Sequence, residues 1–480
     1  MTDHPHLSIT DPNTRRYLGY SVPIILFILA LTLGLYKIDL QYLGMDEGAT
    51  YFFARMNFLE IIDSGEPNSP TFYIIEGWIV NTFGRTELSI KFLPLLSYAL
   101  CVPFTYLAAK ELYGNIPASV ASSTLVLFSP VMIWYAQEAR GFSCVACLVI
   151  LQLWLFAIYI NRMDNRTIWI LFSVVSAFAV HMHYTAMMPT VLFYLFALIH
   201  QRKRGINGIL RSHTALSILI FAVLILPIFP SIHNAFRASV GYDDTWISGM
   251  DYLKDAIVSF FYGSTAAAVV MSILLIVGVI FSMYRDRERT ILLLIISLIP
   301  FIFTFWVSTF SHVHFRYTLF SAPILYILIA SPLCSFEHLR NPLSKYVPAI
   351  CTILCVSLIV CASAPILEDQ YNARANGMRN IADILEQEAQ EGDCIIYSPE
   401  WMEWGIGGCL DFYYDGDSRG TQIIATDSMS EVNSIRAEHP SSTIFIITWD
   451  GETEVIQWAR SCSETEQLYT YDQLMLHRTV

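Results

Sequence analysis

Charged residues are scarce in this sequence, since Asp, Glu, Lys and Arg together make up only 14% of its 480 residues, against about 25% in a typical soluble domain. Basic residues are fewer than acidic ones, with 28 Lys and Arg against 41 Asp and Glu. The resulting net charge of −13 argues against a nucleic-acid-binding protein, which should be basic. Hydrophobic residues make up 55% of the chain, and the mean hydropathy is +0.49. This composition excludes a disordered chain, a fibrous repeat and an ordinary cytosolic enzyme.

The few charges are unevenly distributed between two parts of the chain. Residues 367–480 carry 21 acidic and 6 basic residues, a net charge of −15, whereas residues 1–366 carry 20 acidic and 22 basic residues. A compositional change of this size indicates a domain boundary. We therefore predict a membrane-embedded domain over residues 1–366 and a soluble, acidic domain over residues 367–480.

Apolar runs that are long enough, or nearly so, to cross a bilayer recur through the first part, where a crossing helix needs about 20 residues. The predicted helices, of which the sixth is short, are at residues 18–36, 88–109, 116–135, 142–160, 167–186, 187–200, 214–232, 264–283, 290–310, 317–334 and 346–366. The chain is thus predicted to be a polytopic α-helical membrane protein with about eleven transmembrane helices.

The orientation of these helices follows from the basic residues, because Lys and Arg collect in short cytoplasmic loops. With the N-terminus in the cytoplasm, the short inner segments hold 14 Lys and Arg, and the outer segments hold eight. The inner bases form dense clusters, as at residues 201–204 and 284–287, whereas the outer bases are scattered singly. We expect a multi-pass protein of the plasma membrane with a cytoplasmic N-terminus and an extracytoplasmic C-terminal domain.

The C-terminal part has the periodicities of a small α/β domain. Apolar residues recur at helical spacing over residues 379–390 and 454–460. Short β-rich runs bounded by turn residues lie at 394–397 and 443–448, and a last strand is expected near 467–471. This alternation predicts strands and helices packed into one small domain.

Cysteine gives little information about the compartment. Cys394, Cys409 and Cys462 of the C-terminal part allow one disulfide and leave one thiol over. Cys144 and Cys147 form a C-x-x-C pattern, but it lies inside an apolar run, where small sulfur side chains commonly pack.

Ionisable residues at membrane depth cost roughly 2.5–3.5 kcal/mol each on insertion scales and are therefore candidates for function. In the predicted topology, four polar groups lie at the same outer mouth of the helical domain. They are Asp46 and Glu47; Gln137, Glu138 and Arg140; His181, His183 and Tyr184; and His312, His314, Arg316 and Tyr317. A transporter should place such groups near the middle of the membrane, so their position favours an enzyme.

The first outer loop is about fifty residues long and contains apolar stretches that are expected to lie partly in the membrane surface. Residues 51–62 place Phe52, Met56 and Leu59 on one stripe, as in an amphipathic helix that lies on a membrane. Residues 68–73 then predict a turn, and a second apolar run follows. Half-immersed structure of this kind is costly unless it builds a site.

Each polar group also has a purely structural explanation. Asp46 and Glu47 can be the solvated start of a helix, and Glu138 with Arg140 can be an internal ion pair that holds two helices together. The His-x-His pairs look like metal ligands, but residues two apart point to different sides of a helix. The residues alone leave these alternatives open.

The order of motifs along the chain is the most specific feature of the sequence. The motifs are Asp46-Glu47, Ser69-Pro70-Thr71-Phe72-Tyr73, Phe83-Gly84, Phe128-Ser129-Pro130, Trp134-Tyr135-Ala136-Gln137-Glu138-Ala139-Arg140, His183-Tyr184-Thr185, Arg316-Tyr317 and Glu391-Gly392-Asp393. This order resembles that of the polytopic GT-C glycosyltransferases, specifically the bacterial and archaeal branch related to protein O-mannosyltransferases and lipid A aminoarabinose transferases. The resemblance covers nearly the whole chain and is densest over residues 40–160.

The resemblance implies a GT-C fold, with amphipathic helices in the first outer loop, and an activity. Such enzymes transfer a sugar from a polyprenyl-phosphate carrier to an acceptor on the extracytoplasmic face and invert the anomeric centre. The sugar is expected to be mannose or a similar hexose, and the acceptor is a protein, lipid or glycan hydroxyl. A nucleotide-sugar donor is disfavoured, because the chain has no glycine-rich phosphate-binding motif. No cofactor is expected with certainty, and a requirement for a divalent metal stays open.

The resemblance also implies roles for individual residues. The first acid of the family's Asp-Glu pair is the general base, here Asp46, and Glu47 is expected to orient it or to bind the acceptor. A donor that already carries a phosphate leaving group needs charge stabilisation rather than a general acid. Because an arginine fork fits phosphate oxygens, Arg140 and Arg316, together with Tyr317, are expected to bind the donor phosphate.

Further substrate contacts are expected at the same mouth. The residues in question are Tyr73, Gln137, Glu138, His183 and Tyr184. The chain departs from many relatives at Asn68-Ser69-Pro70, where they have His-Pro-Pro. The role of that histidine is therefore vacant here or is taken by His181 or His183.

Two other function classes are weighed against the enzyme. One is a membrane transporter or flippase of lipid-linked glycans, for which the sequence shows no inverted repeat. The other is a scaffold whose acidic domain binds partners, which leaves the immersed first loop unexplained. The expected partners of the enzyme are a lipid-linked sugar donor, an acceptor and the bilayer, and no nucleic acid.

Overall fold

The computed structural model describes residues 12–479 except 67, 163–164, 203–211, 242–248, 310–312, 339–346, 373–376, 400–401, 415, 450, 452 and 472. A helical body, residues 12–372, carries a C-terminal layer of helices and one sheet, residues 377–479. His312, one of the residues singled out in the sequence, lies outside the described residues.

The body is built from long apolar helices and several short ones. They are α1 (Pro12–Leu35), α2 (Met45–Ala54), α3 (Phe58–Asp63), α4 (Pro70–Phe83), α5 (Glu87–Ile90), α6 (Phe92–Tyr113), α7 (Ile116–Leu127), α8 (Pro130–Ala136), α9 (Phe142–Arg162), α10 (Arg166–Met182), α11 (Met187–His200), α12 (His213–Ile225), α13 (Phe229–Gly241), α14 (Gly249–Phe260), α15 (Thr265–Arg285), α16 (Arg287–Val307), α17 (Ser321–Ala330) and α18 (Val347–Asn372).

Six helices within the described residues are long and apolar enough to cross a membrane, and one bent pair gives a seventh. Shorter apolar helices, such as Arg166–Met182 and Tyr184–His200, lie among them. The helices coincide closely with the predicted apolar runs, so the predicted helical membrane body is confirmed. The number of eleven crossings stays a prediction.

The predicted span 116–135 is not one straight helix. Helices α7 and α8 meet at an angle of 57°. Pro130 opens α8, because a proline lacks the N–H that would continue the preceding helix, whereas its fixed φ suits the first helical position. The break changes the direction of α8, whose side chains line the site described below.

The predicted single helix over residues 51–62 is wrong, because two helices share this stretch. Asn57 has an extended backbone and caps α3, since its side-chain oxygen accepts hydrogen bonds from the N–H groups of Leu59 at 3.0 Å and Glu60 at 3.1 Å. An N-cap satisfies donors that no helical carbonyl can reach, and so it fixes the start of a new helix.

The C-terminal layer contains α19 (Met378–Glu388), a π-helical turn (Glu403–Gly407), α20 (Gly408–Tyr413), α21 (Gly416–Arg419), α22 (Met429–Glu438) and α23 (Glu454–Ser461). Its strands are β1 (Cys394–Ser398), β2 (Gln422–Ala425), β3 (Ile444–Thr448), β4 (Thr465–Tyr471) and β5 (Leu474–Thr479). Their order in the sheet is β2-β1-β3-β5-β4, with β1 parallel to β2 and β3, and β5 antiparallel to β3 and β4.

The predicted α/β character of this part is confirmed, but the sequence reading missed two strands. Strand β2 has only four residues, and β5 follows β4 after a short turn, so that β4 is not the last strand. Cys394, Cys409 and Cys462 are free thiols, and the disulfide that the sequence allows is not formed among them.

The layer is docked tightly on helix α2. A Cβ atom on Gly408 would lie 2.1 Å from the backbone oxygen of Gly48, so only glycine lets the two backbones approach this closely. The hydroxyl of Tyr413 also accepts a hydrogen bond from the N–H of Leu43 at 2.8 Å. One hydrophobic cluster includes Leu43 of the body and Ile447 of the sheet, so it continues across the contact.

Candidate active site

The first turn of helix α2 holds Asp46. Gly44 is the N-cap residue, and its N–H donates a hydrogen bond to Oε2 of Glu47 at 2.8 Å. The partial positive charge of the helix N-terminus favours an ionised carboxylate in this turn. The segment from Gly44 to Glu47 therefore starts the helix and positions Asp46.

Glu47 faces away from solvent, with 2% of its surface exposed. Its Oε1 accepts a hydrogen bond from the N–H of Ala139 at 2.9 Å and lies 3.6 Å from Nζ of Lys91, which is fully buried. Lys91 also donates to the carbonyl of Gln41. Glu47 thus fastens α2 to the loop of residues 137–141, which carries Arg140.

Asp46 forms an ion pair with Arg316, which lies in the helical turn Phe315–Thr318. Oδ2 of Asp46 is 2.8 Å from Nη1 of Arg316, and the same nitrogen is 3.6 Å from Oε1 of Glu138. Nε1 of Trp134 donates to the other oxygen of Glu138 at 3.0 Å. Nε of Arg316 is buried and has no hydrogen-bond partner among the described residues. Since an unsatisfied buried donor is costly, a ligand oxygen that reached this nitrogen would be stabilising.

Arg140 approaches the same turn from the opposite loop. Its Nη1 donates to the backbone oxygen of Asp46 at 3.2 Å, and the N–H of Arg140 bonds the carbonyl of Glu138 at 2.7 Å. Asp46 is therefore flanked by two guanidinium groups, of which only Arg316 contacts its carboxylate directly within the described part of the chain.

Mutual electrostatic attraction keeps Asp46, Arg140 and Arg316 charged. Burial raises the pKa of Asp46, but Arg140 and Arg316 outweigh this effect and lower the pKa to about 2. Burial lowers the pKa of each arginine, but the negative charges of Asp46, Glu138 and other neighbouring groups together more than offset it, so both pKa values lie above the ordinary one. The side chain of Asp46 is 39% exposed, which leaves it accessible to a substrate.

A cavity of about 710 Å³ opens between the helical body and the C-terminal layer. Four of the predicted site residues, Asp46, Glu47, Glu138 and Arg316, line it. The other lining residues are Tyr42, Leu43, Gly44, Met45, Pro130, Val131, Trp134, Tyr135, Ser259, Gly263, His314, Phe315, Ile366, Gln370, Gly377, Met378, Trp449, Tyr471 and Leu474. The structure thus brings both sequence domains to one cavity.

The remaining predicted site residues are not among the described residues that line the cavity. The centroid of the His183 ring lies 5.5 Å from that of Tyr317 and 4.9 Å from that of Phe142. The guanidinium carbon of Arg316 lies 5.2 Å from the centroid of the same Phe142 ring. His183 thus packs against Phe142, the ring that also contacts the guanidinium group of Arg316.

Tyr73 and Tyr184 also lie outside the cavity lining. The hydroxyl of Tyr73 donates to Oε1 of Glu66 at 2.8 Å, and the same oxygen accepts from the side chain of Asn68 at 2.6 Å. The hydroxyl of Tyr184 is buried and has no partner among the described residues. Their predicted contacts with substrate stay predictions.

Gln137 and His181 are held by structural contacts. The side-chain amide of Gln137 donates to the carbonyls of Gly34 and Tyr36, both at 2.9 Å, and thereby closes the end of α1. Nδ1 of His181 contacts the hydroxyl of Thr71 at 2.7 Å, and its Nε2 contacts a backbone carbonyl. Of the two histidines proposed as substitutes, His183 is the one whose Nε2 has no partner in the described part of the chain.

Sequence reasoning did not select several residues that the structure places at the site. Lys91 could have been found, because a single lysine beside an apolar run is costly unless it is paired. Trp449 and Tyr471 carry no local signal, since only the docking of the C-terminal layer brings them to the cavity. Gln370 of α18 lines the cavity from the helical body and is likewise marked by no local pattern.

A divalent metal finds no grouped ligands in the part of the chain that the structure describes. Nowhere in these residues do three His, Cys, Asp or Glu side chains converge. The carboxylate of Asp46 is bonded to a guanidinium group instead.

Comparison with solved structures gives matches along nearly the whole chain. ArnT from Cupriavidus metallidurans bound to undecaprenyl phosphate is 12% identical, with a TM-score of 0.61 over 98% of this chain and 99% of ArnT. Its apo state is 13% identical, with a TM-score of 0.63 over 96% and 98% of the two chains. The oligosaccharyltransferase AglB from Archaeoglobus fulgidus, in complex with an inhibitory peptide and a dolichol-phosphate, is 12% identical, with a TM-score of 0.53 over 91% and 70%.

Comparison of sequences gives a narrower match. Residues 68–230 match the family described as dolichyl-phosphate-mannose-protein mannosyltransferase. No curated protein matches the sequence. The structural and sequence matches together confirm the resemblance drawn from the motifs: the chain is an integral membrane protein with the GT-C fold.

Proposed function

We propose that this protein is a membrane glycosyltransferase that transfers a monosaccharide, mannose or a similar hexose, from a polyprenyl-phosphate carrier to an acceptor hydroxyl. The observation that carries the proposal is the ion pair of Asp46 and Arg316 in the wall of the cavity. The likeness to ArnT bound to undecaprenyl phosphate and to AglB bound to a dolichol-phosphate supports a lipid-linked donor.

The cavity offers suitable surroundings for both parts of such a donor. Pro130, Val131 and Ile366 give part of its lining an apolar character that suits a prenyl chain. Arg316 lines the same cavity and has one buried donor, Nε, without a partner among the described residues. A phosphodiester bound beside Arg316 can accept two hydrogen bonds from the guanidinium group, one on each of its free oxygens.

Binding of the phosphate changes the state of Asp46. In the resting structure, the arginines lower the pKa of this carboxylate to about 2, which makes it a weak base. A bound phosphate competes for Arg316 and neutralises part of the positive charge. The pKa of Asp46 then rises, because burial is opposed less strongly. The donor thus releases and activates the base that the reaction needs.

The transfer is then a single displacement at the anomeric carbon. The acceptor oxygen forms a bond to this carbon while its proton passes to Asp46. The bond between the carbon and the phosphate oxygen breaks, and its electron pair leaves with the polyprenyl phosphate. Arg316 and Arg140 stabilise the charge on the leaving phosphate. Attack from the side opposite the leaving group inverts the anomeric centre.

Glu47 acts as a positioning residue in this scheme. Its carboxylate is occupied by the N–H groups of Gly44 and Ala139, and Lys91 lies beside it. It therefore holds Asp46 relative to Arg140 rather than exchanging a proton with substrate.

The proposed topology places this chemistry outside the cytoplasm. The excess of Lys and Arg in alternate short loops supports a cytoplasmic N-terminus and an extracytoplasmic C-terminal layer. We also propose residues 1–366 as the membrane-embedded domain and residues 367–480 as the soluble domain, with α18 leading from one to the other.

The proposal is tested with the purified full chain and radiolabelled polyprenyl-phosphate mannose, by following release of free polyprenyl phosphate. Wild type should release it, and Asp46→Asn should lower the rate about 10²–10⁴-fold, as for loss of a general base. Asp63→Asn, at the exposed end of α3, is the matched control and should retain the wild-type rate.

Failure of wild type to release phosphate from any polyprenyl-phosphate sugar, with or without divalent metal and a crude membrane acceptor, would overturn the transferase proposal. Transport of lipid-linked glycans would then be the leading explanation. Release that is equally fast in Asp46→Asn would retain the donor class and remove Asp46 as the base.

A further inference from the structure

The C-terminal layer contributes an aromatic surface to the cavity. Trp449 directly follows β3, Tyr471 ends β4 and Leu474 begins β5. The strand register pairs Tyr471 with Leu474 and Thr448 with Met475, so these residues meet at one end of the sheet. We call the lining residues Gly377, Met378, Trp449, Tyr471 and Leu474 the roof of the cavity.

The wall of the cavity formed by the helical body is also aromatic. Tyr42, Trp134 and Tyr135 line it. Gln370 adds a polar group, and its Nε2 is buried without a hydrogen-bond partner among the described residues.

We infer that the roof binds a pyranose ring, so that the acceptor of the proposed reaction is a saccharide without acidic groups. This inference rests on the proposed function and names its acceptor class. The apolar faces of a pyranose stack on aromatic rings, here those of Trp449 and Tyr471. A lipid-linked glycan and a soluble saccharide share this chemistry.

The charges of the cavity disfavour an anionic acceptor. Among the described lining residues, the carboxylates are Asp46, Glu47 and Glu138, and Arg316 is the one arginine. Arg316 is already paired with two of these carboxylates. A phosphorylated or carboxylated acceptor would therefore meet an excess of carboxylates over basic groups in the lining once a donor phosphate occupies the arginine.

The edge of the sheet disfavours an extended peptide acceptor. Strand β4 is an edge strand that ends at the cavity, and a peptide could in principle pair with it. However, a bulge between Gln467 and Tyr469 interrupts the regular ladder, and Glu466 places a charge on the strand. Bulges and charges are features that prevent pairing along a free edge.

The first test measures binding without turnover. The full chain in lipid nanodiscs free of glycoside detergents is examined by saturation-transfer difference NMR with methyl pyranosides of glucose, mannose, galactose and N-acetylglucosamine. At least one should receive saturation on its ring protons, and the Trp449→Ala/Tyr471→Ala variant should lose the signal. Trp458→Ala is the matched control, because this tryptophan lies on α23 against Arg436 and does not line the cavity.

The second test measures turnover with the labelled donor. The acceptors are the pyranoside that binds, its octyl glycoside and a threonine-containing peptide. Pyranosides should stimulate release of polyprenyl phosphate, and Trp449→Ala should raise the acceptor KM roughly tenfold with little change in kcat. Trp449→Phe should restore much of the affinity, because it restores an aromatic face. A preference for the octyl over the methyl glycoside would identify a lipid-linked source.

The two proposals fail in different ways. Stimulation by the peptide alone, or absence of binding by every pyranoside, overturns the saccharide acceptor even if the donor is discharged. Absence of donor discharge overturns the proposed function, and the NMR experiment still decides whether the roof binds a pyranose.

Discussion

Helix α2 gives two adjacent carboxylates opposite surroundings on its two faces. Asp46 is 39% exposed, faces the cavity and is paired with a guanidinium group. Glu47 is 2% exposed and is bonded to backbone N–H groups beside a buried lysine. Consecutive residues on a helix point about 100° apart, so chain neighbours face different partners. Both carboxylates line the cavity, but Asp46 is exposed enough to meet a substrate, whereas Glu47 fixes the position of the helix.

The largest expected effect is the loss of turnover in Asp46→Asn, which changes the exposed carboxylate of helix α2. Asp46→Asn should reduce turnover about 10²–10⁴-fold and lower the melting temperature of the purified protein only moderately, because the side chain is partly exposed, the amide is isosteric and Arg316 keeps Glu138 as a second partner. Turnover and thermal unfolding measured on one preparation separate the two quantities. A large loss of melting temperature would show that Asp46 is also a structural residue.

Glu47→Ala should instead lower stability, because it removes the buried contacts of helix α2. It leaves the buried Lys91 without its counter-charge, which typically costs about 3–5 kcal/mol, and removes the acceptor of the Ala139 N–H. A lower melting temperature should accompany the loss of activity, and Lys91→Met in the same chain should recover part of the stability. An unchanged melting temperature with activity as low as in Asp46→Asn would assign Glu47 to the chemistry.

Gly408→Ala should disturb the same face from the side of the C-terminal layer. Its Cβ would meet the backbone oxygen of Gly48 at 2.1 Å, and overpacking of this kind typically costs about 1–3 kcal/mol. Gly407→Ala is the matched comparison, because the nearest atom to its Cβ would be the side-chain hydroxyl of Tyr397 at 3.0 Å rather than backbone. Equal melting temperatures for the two variants would contradict the close approach of α20 to α2.

The smallest expected effect is a change in pH dependence at the cavity face. Because the pKa of Asp46 is lowered to about 2, wild-type kcat/KM should show no limb from this group between pH 4 and 8, and activity should fall only as pH drops through that pKa. Arg316→Gln removes one of the lowering charges and leaves burial, which raises the pKa. The acid limb should therefore move to higher pH, and a limb that stays in place would show that Arg140 alone sets the pKa.

Much of the helical body could be predicted from the sequence. Lipid surroundings require long apolar runs, and those runs coincide with the helices of the body. The positions at which helices are interrupted are harder to predict from hydropathy. Pro130 ends a run that hydropathy alone joins, and Asn57 divides a stretch whose apolar stripe is continuous.

The candidate site could be predicted only in part. Asp46, Glu138 and Arg316 were selected because charges beside apolar runs need a reason, and the structure brings these three together. Gln137 was selected on the same ground but bonds the end of α1, away from the cavity. Periodicity cannot distinguish these cases, because both are polar residues at the end of a helix.

The sequence by itself determined the helical membrane body, the acidic C-terminal part and the charged groups beside the apolar runs, because these follow from local composition and period. Only the tertiary structure decided which charges meet and what covers them. The pairing of Asp46 with Arg316, the burial of Glu47 against Lys91 and the arrival of Trp449 at the cavity each join distant parts of the chain. Such contacts depend on how helices and sheet pack, which no local pattern records.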